Sequence, residues 1–173
     1  MKNWNVDATH SSIGFWVKHM MVSKVRGSFG DFNANVEANE TDLTDANIAF
    51  NINVASINTG NEDRDNHLRS ADFFNAEAFP EIKFVANNIS KNGEEYKIAG
   101  DLTIKDITKP IVFEAEYEGK GTNPWGQEVV GFSAETKINR EDFGLTWNQA
   151  LETGGVLVGK DIKITVELEA NPA

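Results

Sequence analysis

Apolar and polar residues alternate with a period of two through six stretches of this chain, and that alternation restricts it to sheet structure with one dry face. Ile48, Phe50, Ile52 and Val54 form the first row. Ile82, Phe84 and Ala86 form a second, and Ile98, Gly100, Leu102 and Ile104 a third. Ile111, Phe113, Ala115 and Tyr117 follow, then Val130, Phe132, Ala134, Thr136 and Ile138, and finally Ile162, Ile164, Val166 and Leu168. Between His10 and Phe32, Ile13, Phe15, Val17 and His19 share one strand phase, while Gly14, Trp16, Lys18 and Met20 share the other. A strand with bulk on both faces fits the wall of a closed barrel better than an open sheet.

The punctuation between the rows is short. Asn92-Gly93 is a two-residue hairpin signal, Asp106 to Pro110 links the next pair, and Asn123-Pro124-Trp125-Gly126 marks a third turn. These connections predict an antiparallel meander from Ile82 to Ile138. Near Phe29-Gly30-Asp31-Phe32 the apolar phase slips by one residue, which predicts a bulge at Gly30. One helix is expected from Glu62 to Arg69, opened by a Thr59-Gly60-Asn61-Glu62 capping box, with acids at its positive end and Arg69 at its negative end. Leu68 and Phe74 give it a short apolar stripe with which to cover one edge or mouth of the barrel. A second short turn is expected at Arg140 to Phe143, ended by Gly144.

The whole is read as one all-β domain spanning residues 1–173, an eight-stranded antiparallel barrel with one or two short helices. Eight strands enclose a space that side chains can just fill or that can hold one small ligand. Phe15, Phe29, Phe50, Phe84, Phe113 and Phe132 supply inward bulk on these rows, and Gly27, Ala34, Ala86, Gly100, Ala115 and Ala134 leave room. That alternation permits a tunnel and equally permits interdigitated packing.

Several chemistries are excluded or disfavoured. The chain has no cysteine, so disulfides, thiolate catalysis and Cys-ligated zinc are absent. A net charge of −11 argues against nucleic acid and against an anionic membrane surface. No run approaches the length of a membrane span, and no apolar leader follows Met1, which points to the cytoplasm. Gly154 to Asp161 imitates a phosphate-binding loop, but Asp161 stands where a hydroxyl is required, and a strand pattern follows instead of a helix. His10, His19 and His67 lack metal-ligand spacing, and the acids from Glu62 to Asp65 lack a calcium loop's glycine, so no metal and no cofactor are expected. Ser11 and Ser12 have no nucleophile elbow around them.

Segments in order along nearly the whole chain carry a family resemblance. They are Asp7 to Ser11, Phe15 to Phe29, Arg64 to Phe74 with Pro80, Gly100 to Ile104 with Thr108-Lys109-Pro110, and Ile138 to Leu145. Together they resemble the YceI-like family of lipid- or polyisoprenoid-binding proteins, and Gly155 to Asp161 resembles its small cytoplasmic members. The resemblance implies a lipocalin-like barrel with an elongated apolar cavity that binds an isoprenoid or similar long-chain amphiphile without turnover. The expected ligand contacts are Phe15, Val17, His19, Phe29, Phe50, Ile52, Phe84, Leu102, Phe113, Ala115, Phe132, Ala134 and Trp147. His19, Arg26 or Asn148 would select the head group at the rim. The rival readings are an enzyme with a polar site at the barrel mouth, and a filled barrel serving as an interaction module. No stable membrane insertion is expected, and a homodimer stays open.

Overall fold

The structure, a computed structural model, describes residues 1–39, 42–148 and 157–173. Its strands are β1 (Lys2–Val6), β2 (Ser12–His19), β3 (Ser23–Phe29), β4 (Phe32–Ala38), β5 (Asn47–Asn53) and β6 (Ile57–Asn58), then β7 (Glu81–Asn92), β8 (Glu95–Ile104), β9 (Ile107–Thr122), β10 (Glu128–Asn139) and β11 (Val158–Pro172). The one α-helix among the described residues, α1 (Glu62–Arg69), stands between β6 and β7. All pairings are antiparallel, and the ring β1-β4-β5-β7-β8-β9-β10-β11 closes through a β1–β11 pairing, making an eight-stranded barrel. No helix of the described residues is long and apolar enough to cross a membrane.

Closure depends on a broken first arm. A 3-10 turn at Ala8–His10, whose entry is capped by the Asp7 carboxylate accepting from Thr9 N–H, separates β1 from β2. Strand β11 runs long enough to pair with both halves. Its end meets β1 (Ala170↔Val6, Pro172↔Trp4), and its earlier part meets β2 (Glu167↔Ser12, Ile164↔Phe15). The β2–β3 hairpin and the short β6 thus prolong the wall at the end of the barrel covered by α1.

The strand rows read from the sequence keep their phase. Phe15, Phe50, Phe84, Phe113 and Phe132 all face the interior, and none is exposed. Helix α1 has the expected bounds, and Leu68 and Phe74 pack against the core. Its anchorage is polar as well as apolar: the Arg69 guanidinium donates to the carbonyls of Ala55 and Ile57. The turn at Arg140–Phe143 forms as a 3-10 turn, closed by Gly144 at φ +75°.

Four local expectations need correction. The helix cap is Asn61, whose side chain accepts from Arg64 N–H; Thr59 instead donates its hydroxyl and its N–H to the buried Asp65 carboxylate. The first hairpin loop is Gly93-Glu94, because Asn92 pairs with Glu95, and the second is Lys105-Asp106, because Ile104 pairs with Ile107. Gly30 is not a bulge: pairing lapses there, Phe29 ending against β6 and Phe32 beginning against β5, so the chain turns a corner. The register shifts among the described residues fall at Ala86/Asn88, Gly131/Phe132 and Val158/Ile162. Gly154 and Gly155 lie outside the described residues; Val158 onward is strand, not helix.

Gly27 and Gly100 do not leave room. A Cβ at Gly27 would lie 2.5 Å from the Phe15 ring, and one at Gly100 would lie 2.6 Å from the Phe84 ring. Each ring lies over a cross-strand glycine, and so the space opened by a missing side chain is refilled. The neighbours differ in kind. At Gly27 they are side-chain atoms of Phe15 and Thr59, which can turn aside, whereas at Gly100 the Val85 carbonyl is also in the way. Gly100→Ala should therefore cost about 1–3 kcal/mol and Gly27→Ala clearly less. Urea unfolding of both variants checks this, and equal midpoints would contradict it.

Candidate functional site

The barrel encloses a cavity of about 220 Å³ with an almost wholly apolar lining. Trp4, Ala38 and Leu43 line one end, and Val17, Leu145 and Val158 line the other, next to α1. The cavity touches both hydrophobic clusters of the core, one built around Phe84, Ile138 and Leu145, the other around Trp4, Tyr96 and Val130. Its middle is walled by rings in tilted or edge-on contact rather than flat stacks. Phe84 and Phe113 meet at 87° with centroids 5.2 Å apart, and Phe15 meets Phe29 at 5.6 Å.

Eleven of the residues expected to contact a ligand line this cavity. Phe15, Val17 and Phe29 come from the β2–β3 hairpin, Phe50 and Ile52 from β5, and Phe84 and Leu102 from the β7–β8 pair. Phe113 and Ala115 come from β9, and Phe132 and Ala134 from β10. Ala115 and Ala134 sit directly opposite each other across the β9–β10 ladder, so that two small side chains meet at one level of the wall. This is how the ladder keeps space there that larger pairs would fill.

The other two sit elsewhere. His19 ends β2 beside the hairpin tip and is not among the lining residues. Trp147 stacks edge-on against His67, at 4.8 Å and 85°, and packs on Phe73, forming an aromatic plug over α1. The candidate rim groups are similarly placed. Arg26 points outward from β3, and the Asn148 amide both donates to and accepts from the Val158 backbone.

Arg140 is the residue that sequence reasoning missed. It is the one charged side chain lining the cavity among the described residues, and it is only 2 % exposed. Its guanidinium donates to four carbonyls: Gly159 (2.8 Å), Leu145 (2.5 Å), Trp147 (3.0 Å) and Val158 (3.4 Å). Burial lowers its pKa, only partly offset by the neighbouring Glu141. A fork of several donors on a planar cation suits this task, because it can serve carbonyls of two chain segments at once. The signal was available in the sequence: Arg140 continues the inward row of Ile138 by one more step of two.

A second polar group lies on the outside of the barrel, away from the apolar lining. His10 Nδ1 is 2.7 Å from Asp7 and 3.3 Å from Glu169, and these three are the described residues whose arrangement could hold a metal ion. Hydrogen bonding between them lowers the Asp7 pKa and raises that of His10. His10 is exposed and Asp7 half-buried, and with Glu169 they tie the corner between β1 and β2 to β11.

A closed antiparallel barrel with a short helix near one end and an apolar interior cavity defines a lipocalin-like barrel. The chain belongs to the YceI-like family: the YceI-like domain matches residues 4–170. A UPF0312 protein of Staphylococcus aureus (strain MSSA476) is 46% identical over 170 residues, covering 98% of this chain and 97% of its own. In structure, the chain resembles BcnA of Burkholderia cenocepacia, with TM-score 0.83, 23% identity and coverage of 95% and 99% of the two chains. It also resembles a polyisoprenoid binding domain from Saccharophagus degradans, with TM-score 0.72, 12% identity and full coverage of both. At these identities the two structures bear on fold alone.

The role of Arg140 is testable by a change that keeps its charge. A single ammonium cannot reach the carbonyls of Leu145, Trp147, Val158 and Gly159 together. Arg140→Lys should lower stability by at least about 2 kcal/mol, since buried carbonyls lose charged donors. Chemical denaturation measures this, and an unchanged midpoint would contradict the structural role.

Proposed function

We propose that this protein is a single-domain carrier that binds a long-chain apolar ligand, a polyisoprenoid or similar amphiphilic lipid, inside the barrel and does not transform it. The cavity carries this reading: it runs between two core clusters, and its walls are hydrocarbon almost throughout. Burying an alkyl or prenyl chain there is favoured at roughly 25 cal/mol per Å². Charge is excluded from most of its depth, because an unpaired buried charge is costly. The shared fold with a polyisoprenoid binding domain, and membership of the YceI-like family, support the same class of ligand. Phe15, Val17, Phe29, Phe50, Ile52, Phe84, Leu102, Phe113, Ala115, Phe132 and Ala134 are the proposed contacts to the chain. Turnover is not part of the proposal, since the perturbed acid–base pair, Asp7 with His10, is outside this cavity. The cytoplasm is its proposed compartment.

Ala134 provides the test. Its small side chain lines the cavity, opposite Ala115, at a level where a ring would project into the open space. Ala134→Phe should abolish binding of a fluorescent long-chain fatty acid, with a change in stability well under the roughly 1–3 kcal/mol that overpacking a filled core costs. Fluorescence titration and thermal melting of the same samples decide it. A large loss of stability, with no probe binding to the original protein, would mean that the interior is filled.

A further inference from the structure

The chain carries 27 acidic and 16 basic residues, yet residues 8–30 contain no Asp or Glu. This acid-free stretch builds the β2–β3 hairpin, which ends in Met20, Met21 and Val22. All three are exposed, at 46%, 61% and 82%. Three apolar side chains at a loop tip are an unfavourable surface in water, and nothing among the described residues of the barrel covers them.

The backbone of this tip is unfavourable too. Val22 N–H bonds back to the His19 carbonyl, and the two residues between them, Met20 and Met21, have φ of +52° and +64°. Such a turn is ordinarily made by Asn-Gly, since residues with a Cβ are strained in the left-handed region. Here both positions carry long apolar side chains instead. Local stability would have selected differently, so the side chains themselves are what the position requires.

The flanks of the tip are basic. Lys18 and Lys24 stand directly opposite each other, and Arg26 lies opposite Trp16. Like charges opposed across a ladder repel, which again counts against local stability. Among the described residues, none of the three is in an ion pair with a carboxylate, and Lys24 lies over the Trp16 ring at 4.2 Å. On β11, which adjoins β2, Asp161 is in an ion pair with Lys137 of β10, and on β10 Glu135 is in an ion pair with Lys163 of β11. The total of −11 therefore averages over a molecule in which one hairpin carries three cations and no acid around an apolar tip.

An apolar wedge with a basic and aromatic collar matches the layering of a bilayer, acyl chains beneath anionic head groups. The tip is also at the cavity's α1 end: Met20 N–H bonds to the Leu157 carbonyl, His19 pairs with Val158, and Val17 and Val158 line the cavity. We propose that the Met20–Val22 tip, with its collar of Lys18, Lys24 and Arg26, docks the barrel on a membrane surface that carries anionic lipids. The negative remainder of the molecule would be repelled, so contact is oriented, tip first. Docking is peripheral and does not depend on which ligand the cavity holds.

The test uses variants that should fold better than the original. Met20→Asn with Met21→Gly supplies the turn's preferred residues, and Lys18→Glu turns a repulsive cross-strand pair into an attractive one. Sedimentation with vesicles of phosphatidylcholine containing about 30% phosphatidylglycerol, at low salt, should pellet the original protein on the order of tenfold more than pure phosphatidylcholine does. Each variant should lose most of that pelleting while melting at the same or a higher temperature. Ala134→Phe, which blocks the cavity, should pellet normally, so failure of the carrier reading and failure of docking are separable. Equal pelleting of the tip variants, or no preference for anionic vesicles, would overturn the proposal. So would a dimer in analytical ultracentrifugation that the same variants dissociate, since a second copy would then cover the tip.

Discussion

Strand β11 is hydrogen-bonded on one side to β10 along ten residues and on the other to both halves of a broken first arm. The break at Ala8–His10 lets β1 complete the ring with β4 while β2 remains on β11 and carries the β2–β3 hairpin. With an unbroken arm, one β11 edge could not both close the eight-strand ring and extend the wall. Every strand of the ring has a paired neighbour on both sides, and the ring sets a fixed circumference around an interior that side chains only just fill. Small differences in side-chain size around that circumference then decide whether space remains.

Two kinds of small residue line the wall, and they behave differently. At Gly27 and Gly100 the rings of Phe15 and Phe84 fold across the gap, so these levels are packed. At Ala115 and Ala134 the small residues face each other across one ladder, and both line the cavity. The α1 end is fixed by Arg140, which gathers carbonyls from 145 and 147 on one side and 158 and 159 on the other. A buried cation among carbonyls has a desolvation cost, and its multiple bonds are what make that placement tenable. The cavity is thus held open by the wall and shaped at one end by a polar clamp.

Much of this was legible in the period-two rows. Phe15, Phe50, Phe84, Phe113 and Phe132 face inward because alternation survives any tertiary context that keeps one face dry. Helix bounds followed from the acids at Glu62 and Asp63 and the cation at Arg69. What escaped depends on contacts between distant residues. The cap moved from Thr59 to Asn61 because Thr59 was needed by buried Asp65, and no local pattern shows that demand. The filling of Gly27 and Gly100 escaped because cross-strand register decides which ring lies over which glycine. Arg140 lay on an inward row in plain view, but a charged residue at an inward position is ordinarily taken to end the row. Trp147 is an aromatic on a loop whose partners, His67 and Phe73, come from around α1 and could not be placed from sequence.

The proposed carrier role requires that the interior hold one long hydrocarbon chain. Native mass spectrometry of the purified protein, before and after extraction with organic solvent, tests it most directly. The expected result is a single adduct at one-to-one stoichiometry that solvent removes, whose mass fits a prenyl or acyl chain, and that returns when the extracted lipid is added back. A protein that shows no adduct when isolated gently, and takes up no long-chain amphiphile afterwards, would contradict it.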